Sequence, residues 1–204
     1  MTTQEGNIIS DAVLEVEEEF IEDLEIDREP TVYEIGDQVV YPHHGAGKVL
    51  KKEMKEVLGE KREYLTIKIL HNDMTVMVPC CNAGVAGLRR VIDEPTVKKV
   101  LAVLSDEVSE MPKNWNRRFK HNREKIKTGD VFELAEVVRN LAIRETEKGL
   151  STGEKQMYTR AKKILASEMM YALEKSEDEA EAYLDEILLR TADELAAASA
   201  ASAE

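Results

Sequence analysis

Cysteine is nearly missing from this chain: 204 residues hold two, Cys80 and Cys81, side by side. A small scaffold stapled by disulfides is thereby excluded, and a reducing cytoplasm is the expected compartment. Aromatic residues are scarce at 5%, with a single tryptophan, Trp115. No uninterrupted apolar run reaches the roughly eighteen residues that a membrane-spanning helix needs. The first residues are acidic, without the basic-then-apolar opening of a secretory signal. Sequence motifs for catalysis are missing as well. There is no Gly-x-Ser-x-Gly, no phosphate loop, no dinucleotide fingerprint and no His-Glu-x-x-His spacing, so no enzyme, catalytic residue or cofactor is expected.

Charge is plentiful, at 34% of residues and a net −13, which on its face points to a poor nucleic-acid binder. The distribution reverses that reading. Residues 1–31 carry net −10 and residues 171–204 net −8, while 32–92 and 93–170 carry +2 and +3. The acidic ends repel themselves and bury little, so 1–31 is expected to be disordered. Between Lys113 and Lys127 stand seven bases, including Arg117, Arg118, Lys120, Arg123 and Lys125, against one acid, Glu124. Trp115 stands at the entrance of that patch.

Two periodicities divide the middle. Between Tyr33 and Pro79 the residues alternate in short runs broken by turns, at His43-His44-Gly45-Ala46-Gly47, Leu58-Gly59-Glu60 and His71-Asn72-Asp73. Four or five short strands in so short a stretch predict a small, strongly bent barrel. After Asp93 the spacing is helical. Pro95 suits a first turn, Asn114 an N-cap, and Asp130 caps a helix with Glu133 placed to reach back. Ser151 and Glu154 form a capping box for a long last helix. Ala180 to Leu189 admits a further amphipathic helix, with a frayed low-complexity end beyond it. The fold class is α+β, a small antiparallel β-barrel followed by an all-α helical bundle. The boundaries expected are 1–31 for the extension, 32–86 for the β module, 87–92 for a linker, 93–174 for the bundle and 175–204 for an acidic tail.

Three chemistries compete for these residues. His43-His44 and Cys80-Cys81 sum to four soft ligands, but adjacent residues on extended backbone face opposite ways, so no metal site is expected. Trp115 and Phe119, at i and i+4, could be core beneath a solvated basic face. Alternatively the basic helix binds phosphates and Trp115, at its exposed start, adds an apolar contact.

The chain resembles the CarD family of bacterial transcription regulators. The stretches that carry the resemblance are GDQVVYPHHGAG (36–47), KREYLTIKI (61–69), TVMVP (75–79), NWNRRFKHNREKI (114–126), GDVFELAEVVRNL (129–141) and KGLSTGEKQM (148–157), with a shorter match at AYLDEIL (182–188). The resemblance implies that the β module is Tudor-like and docks on the RNA polymerase β subunit. It implies that the helical module contacts promoter DNA at the upstream edge of the transcription bubble. Trp115 matches the family's minor-groove wedge, and Arg117, Lys120 and Lys155 match basic positions facing DNA. Lys55 matches a basic position facing polymerase. Met77 stands where a second base is common, leaving that half of the contact to Lys51, Lys52 and Arg62. The expected partners are therefore polymerase and promoter DNA, with no membrane, and the expected state is a monomer. The rival expectations are an adaptor whose helical module recruits a protein, with Trp115 buried, and an RNA-binding barrel, for which Tyr33, Tyr41 and Tyr64 are too few surface aromatics.

Overall fold

The computed structural model describes residues 32–42, 44–57, 59–70 and 74–201. The acidic extension at 1–31, His43 of the histidine pair and the turn at 71–73 lie outside the described residues.

Five strands form one antiparallel sheet among the described residues: β1 (Gln38–Tyr41), β2 (Gly45–Val57), β3 (Glu60–Ile69), β4 (Thr75–Pro79) and β5 (Arg89–Arg90). Their order is β4-β3-β2-β1-β5. The β2–β3 hairpin has Val57 opposite Glu60 and Gly59 at φ 83°. That positive φ is why a glycine stands there. The β1–β2 turn is tighter than the sequence suggests. Tyr41 pairs with Gly45, so Gly45-Ala46-Gly47 lies within β2 instead of the turn. Gly47 is required by close approach, since a Cβ there would come within 2.5 Å of the Lys68 carbonyl oxygen. A register shift between Val49 and Lys51 bulges β2 and sharpens the bend of the sheet. Val39, Val49, Leu65, Ile67, Ile69 and Val78 fill the concave side, and Tyr33 closes it with its hydroxyl donating to the Leu88 carbonyl at 2.6 Å.

Among the described residues five α-helices follow: α1 (Glu94–Leu104), α2 (Trp115–Lys127), α3 (Val131–Lys148), α4 (Thr152–Ala172) and α5 (Glu177–Ala201). The chain is thus α+β. Asp93 caps α1, accepting from the Thr96 N–H at 2.9 Å, and Asn114 caps α2. The capping box of Ser151 and Glu154 is fully formed. Glu133 differs from its expectation. Asp130 caps α3 alone, accepting from Phe132 and Glu133, while the Glu133 carboxylate accepts from the Thr128 hydroxyl. The apolar stripes of α1, α3 and α4 meet in one core through Val100, Leu104, Leu134, Val138, Leu165 and Met169. Helix α5 is 25 residues long and contributes Ala180, Leu184, Ile187 and Leu188 to that core. The segment expected as a tail with a short helix therefore completes the bundle in the structure. Apolar positions at i, i+4, i+7 and i+8 explain it, since they pack despite the acids between them.

The two modules are joined by polar bonds. The backbone N–H of Ala46 on β2 donates to the Ser167 hydroxyl on α4 at 2.9 Å. Glu168 on α4, fully buried, accepts from both terminal guanidinium nitrogens of Arg89 on β5 and from the Ile92 N–H.

Candidate functional site

Trp115 opens α2, and three contacts fix its ring. Its indole N–H donates to the Ser151 hydroxyl at 2.8 Å. It stacks on Phe119, with ring centroids 5.4 Å apart and planes 27° off parallel. Gly153 lies against both rings, where a Cβ would sit 3.5 Å from Phe119 and 3.7 Å from Trp115. The indole is nevertheless 44% exposed. It is therefore held in place by one edge and presented by the other, neither core nor a loose surface side chain.

Behind it runs a buried polar chain. Ser151 accepts from the indole and donates to Glu154 Oε2 at 2.8 Å. Glu154 Oε1 accepts from Arg118 Nε at 2.7 Å, and both side chains are almost wholly buried. Arg118 also donates to the carbonyls of Pro112 and Lys113, tying down the loop that leads into Trp115. Burial opposes the charge on Glu154, but hydrogen bonds from Arg118 and Ser151 outweigh it and hold its carboxyl below the usual range.

The expected DNA-facing bases divide into two groups. Arg117, Lys120 and Arg123 are exposed, Lys120 lying within 3.7 Å of Glu124. Arg118 is corrected by the structure. Expected at the surface, it is only 4% exposed, because Trp115, Arg118, Phe119 and Asn122 share the i, i+3, i+4, i+7 spacing of the inward face. Lys125 is also turned aside, bonding Glu136 at 2.6 Å across to α3. The Lys125 and Ser109 bonds hold the Glu136 carboxyl below its usual range although burial pushes the other way. Lys155 remains half-exposed and lies 2.9 Å from Glu145. That hydrogen bond, with one from the Leu150 N–H, lowers the Glu145 carboxyl.

On the β module, the four expected polymerase-facing residues fall on one face. Lys51 stands opposite Thr66 and Thr66 opposite Met77, while Lys55 stands opposite Arg62, all in one parity of the alternation. Lys55 Nζ lies 3.0 Å from the Met77 sulfur, and Met77 is 53% exposed. Arg62 pairs with Glu60 and Lys55 with Glu53. Lys52 points the other way, opposite buried Leu65, near Glu34 and Glu63. Strand β4 ends the sheet order, so its outer edge pairs with no strand among the described residues.

Sequence reasoning missed Ser151 and Glu154 as holders of Trp115 and Arg118. The Ser-x-x-Glu signature was legible only as a cap. That the same two side chains also serve a helix 36 residues away follows from tertiary packing.

The family model described as the CarD-like/TRCF RID domain matches residues 33–92, and that described as the CarD C-terminal domain matches 99–185. The YdeB protein of Bacillus subtilis (strain 168), whose name calls it a candidate transcription factor, is 39% identical over 138 residues. Those residues are 68% of this chain and 90% of that one. Among solved structures, the 72-residue N-terminal domain of Myxococcus xanthus CarD is 30% identical, covers 32% of this chain and 93% of its own, and has a TM-score of 0.26. The CdnL N-terminal structure from the same organism is 36% identical, covers 34% and 97%, and has a TM-score of 0.27. On the family models and the relative from Bacillus, the chain belongs to the CarD family of RNA polymerase-interacting transcription factors.

Proposed function

We propose that this protein docks on the RNA polymerase β subunit through the sheet face carrying Lys51, Lys55, Arg62 and Met77 and through the edge of β4. From there it stabilises the open promoter complex, with Trp115 as a wedge in the minor groove at the upstream edge of the bubble. The observation that carries this reading is the exposed, three-point-held indole beside the exposed bases Arg117, Lys120 and Arg123. Backbone pairing at a sheet edge tolerates the loss of a charge at Met77, because main-chain bonds supply the affinity there.

The energetics favour a wedge over a sequence reader. Inserting an apolar side chain at a base step costs a few kcal/mol of stacking in intact duplex and less where the strands already part. Such a wedge therefore binds the open state better than the closed one. A difference of about 1.4 kcal/mol shifts that equilibrium tenfold. Phosphate contacts from the three exposed bases position it without reading sequence. The net charge of −13 opposes binding to DNA alone, whereas tethering to polymerase raises the local concentration to about millimolar.

The test is the lifetime of the open complex on a weak promoter. Wild type lengthens it, and Trp115→Ala loses most of that effect while still binding polymerase and while naked duplex is bound weakly by both. Equal lifetimes for the two proteins, both bound to polymerase, would overturn the wedge. The adaptor reading would then take its place, and the engagement of Arg118, Lys125 and Lys155 by carboxylates within the chain is the observation that favours it.

A further inference from the structure

A cleft of about 460 Å³ opens under the loop that leads into Trp115. Its walls carry four cations, Lys113, Arg118, Arg144 and Lys148, and one carboxylate, Glu147. Glu147 is itself within 3.8 Å of Lys148, so these two largely cancel. Behind the wall stands one more carboxylate, Glu154, and it serves two guanidiniums. Arg118 takes it at 2.7 Å, while Arg144 Nε reaches only 3.9 Å. Arg144 Nε is buried and has no hydrogen-bond partner among the described residues. That nitrogen faces Glu154, but the Arg144 side chain is 26% exposed and lines the cleft, so its loosely paired charge is open to a second anion. Lys113 adds a further positive charge at the rim. The cleft thus holds about two surplus positive charges in a chain whose net charge is −13.

We propose that this cleft binds a small phosphate-bearing anion, and that its occupancy is relayed to Trp115. Two surplus charges match a phosphate dianion better than a singly charged carboxylate. The volume lies within the range of small-molecule sites and exceeds what one inorganic phosphate fills. Arg118 is 4% exposed and already bonded to Glu154 and two carbonyls, so it lends the cleft charge while Lys113 and Arg144 offer the contacts; a DNA phosphate shares this chemistry, and competition by a duplex separates the two sources. The relay is the chain already described. An anion drawing on Arg144 releases Glu154 from one of its two cations, and Glu154 holds Ser151, which holds the indole N–H. The binding step is independent of the wedge reading. The relay deepens it, by making the wedge responsive to a metabolite.

The experiment titrates the full chain with sodium tripolyphosphate at an ionic strength of about 0.15 M, by calorimetry and by the emission of Trp115, the chain's single tryptophan. Saturable one-site binding with a change in emission is expected. Lys113→Gln and Arg144→Gln, one exposed and one only loosely paired, each weaken it roughly tenfold. A wild-type response equal to that of the Lys113→Gln/Arg144→Gln protein would overturn the site. Ser151→Ala keeps the calorimetric binding and loses the emission change; a wild-type emission that does not move on binding would overturn the relay. Displacement of tripolyphosphate by a short duplex would overturn the free ligand and assign the cleft to DNA phosphate. Trp115→Ala binds tripolyphosphate like wild type, so a failed wedge and a failed cleft give different results.

Discussion

Glu154 accepts from three donors, two of them on its own cap and one 36 residues away, and its behaviour follows from that crowding. It accepts from Arg118, from the Ser151 hydroxyl and from the Ser151 N–H. Glu154→Gln leaves the Arg118 guanidinium buried with a neutral partner, a change expected to cost about 3 kcal/mol in chemical denaturation. The sign of the pH dependence follows from the lowered carboxyl. Its stabilising contribution is full above the unfolded carboxyl value of about 4.3 and is lost as pH falls through the lower folded value. Wild type therefore loses stability on acidification below about pH 4 more steeply than Glu154→Gln does. Parallel stability-against-pH curves for the two proteins would contradict this account.

At the scale of elements, the acidic C-terminal stretch deserves the strongest test. Helix α5 carries Glu177, Asp178 and Glu179 in its first turn, where the helix dipole favours acids, and a buried apolar stripe beyond them. Leu184 is fully buried in the core shared with α1, α3 and α4. Leu184→Ala should cost about 3 kcal/mol by thermal or denaturant unfolding, through lost apolar transfer and the cavity left behind. A change under about 0.5 kcal/mol, the scale of an ordinary surface substitution, would show that α5 is not part of the folded bundle in solution.

For the whole molecule, the decisive feature is the junction between sheet and bundle. Glu168 is fully buried and accepts from Arg89 and Ile92, and Ser167 accepts from Ala46. These bonds hold the sheet, whose face carrying Lys51 and Met77 is the proposed polymerase contact, at one angle to Trp115. The proposed wedge, acting from a tethered body, needs that rigidity, since affinity gained by tethering is lost when the geometry fails to match. Glu168→Ala should cost about 2 kcal/mol, less than for a fully buried broken pair, because the Arg89 side chain, 30% exposed, can rehydrate. It should also broaden the distance distribution between spin labels placed on β3 and α4. A distribution as narrow as that of wild type would mean the clamp does not set the angle.

Local physics explains what the sequence determined by itself. Period-two and helical spacings separate the β module from the bundle, because each follows from backbone geometry alone. Caps at Asn114, Asp130 and Ser151 were readable because a cap and the groups it satisfies lie within three residues. The CarD resemblance rested on residues in order and so needed no contacts. What tertiary structure decided is everything that joins residues far apart. It buried Arg118 and spent Lys125 on Glu136. It seated the acidic tail's helix in the core, and it drew Lys113 and Arg144 to one cleft. Pairing of charges depends on which carboxylate the fold brings within about 3 Å, and burial decides whether that pairing outweighs hydration. A base read from sequence is therefore a candidate contact, and only the packing around it tells whether it faces a partner or serves the fold.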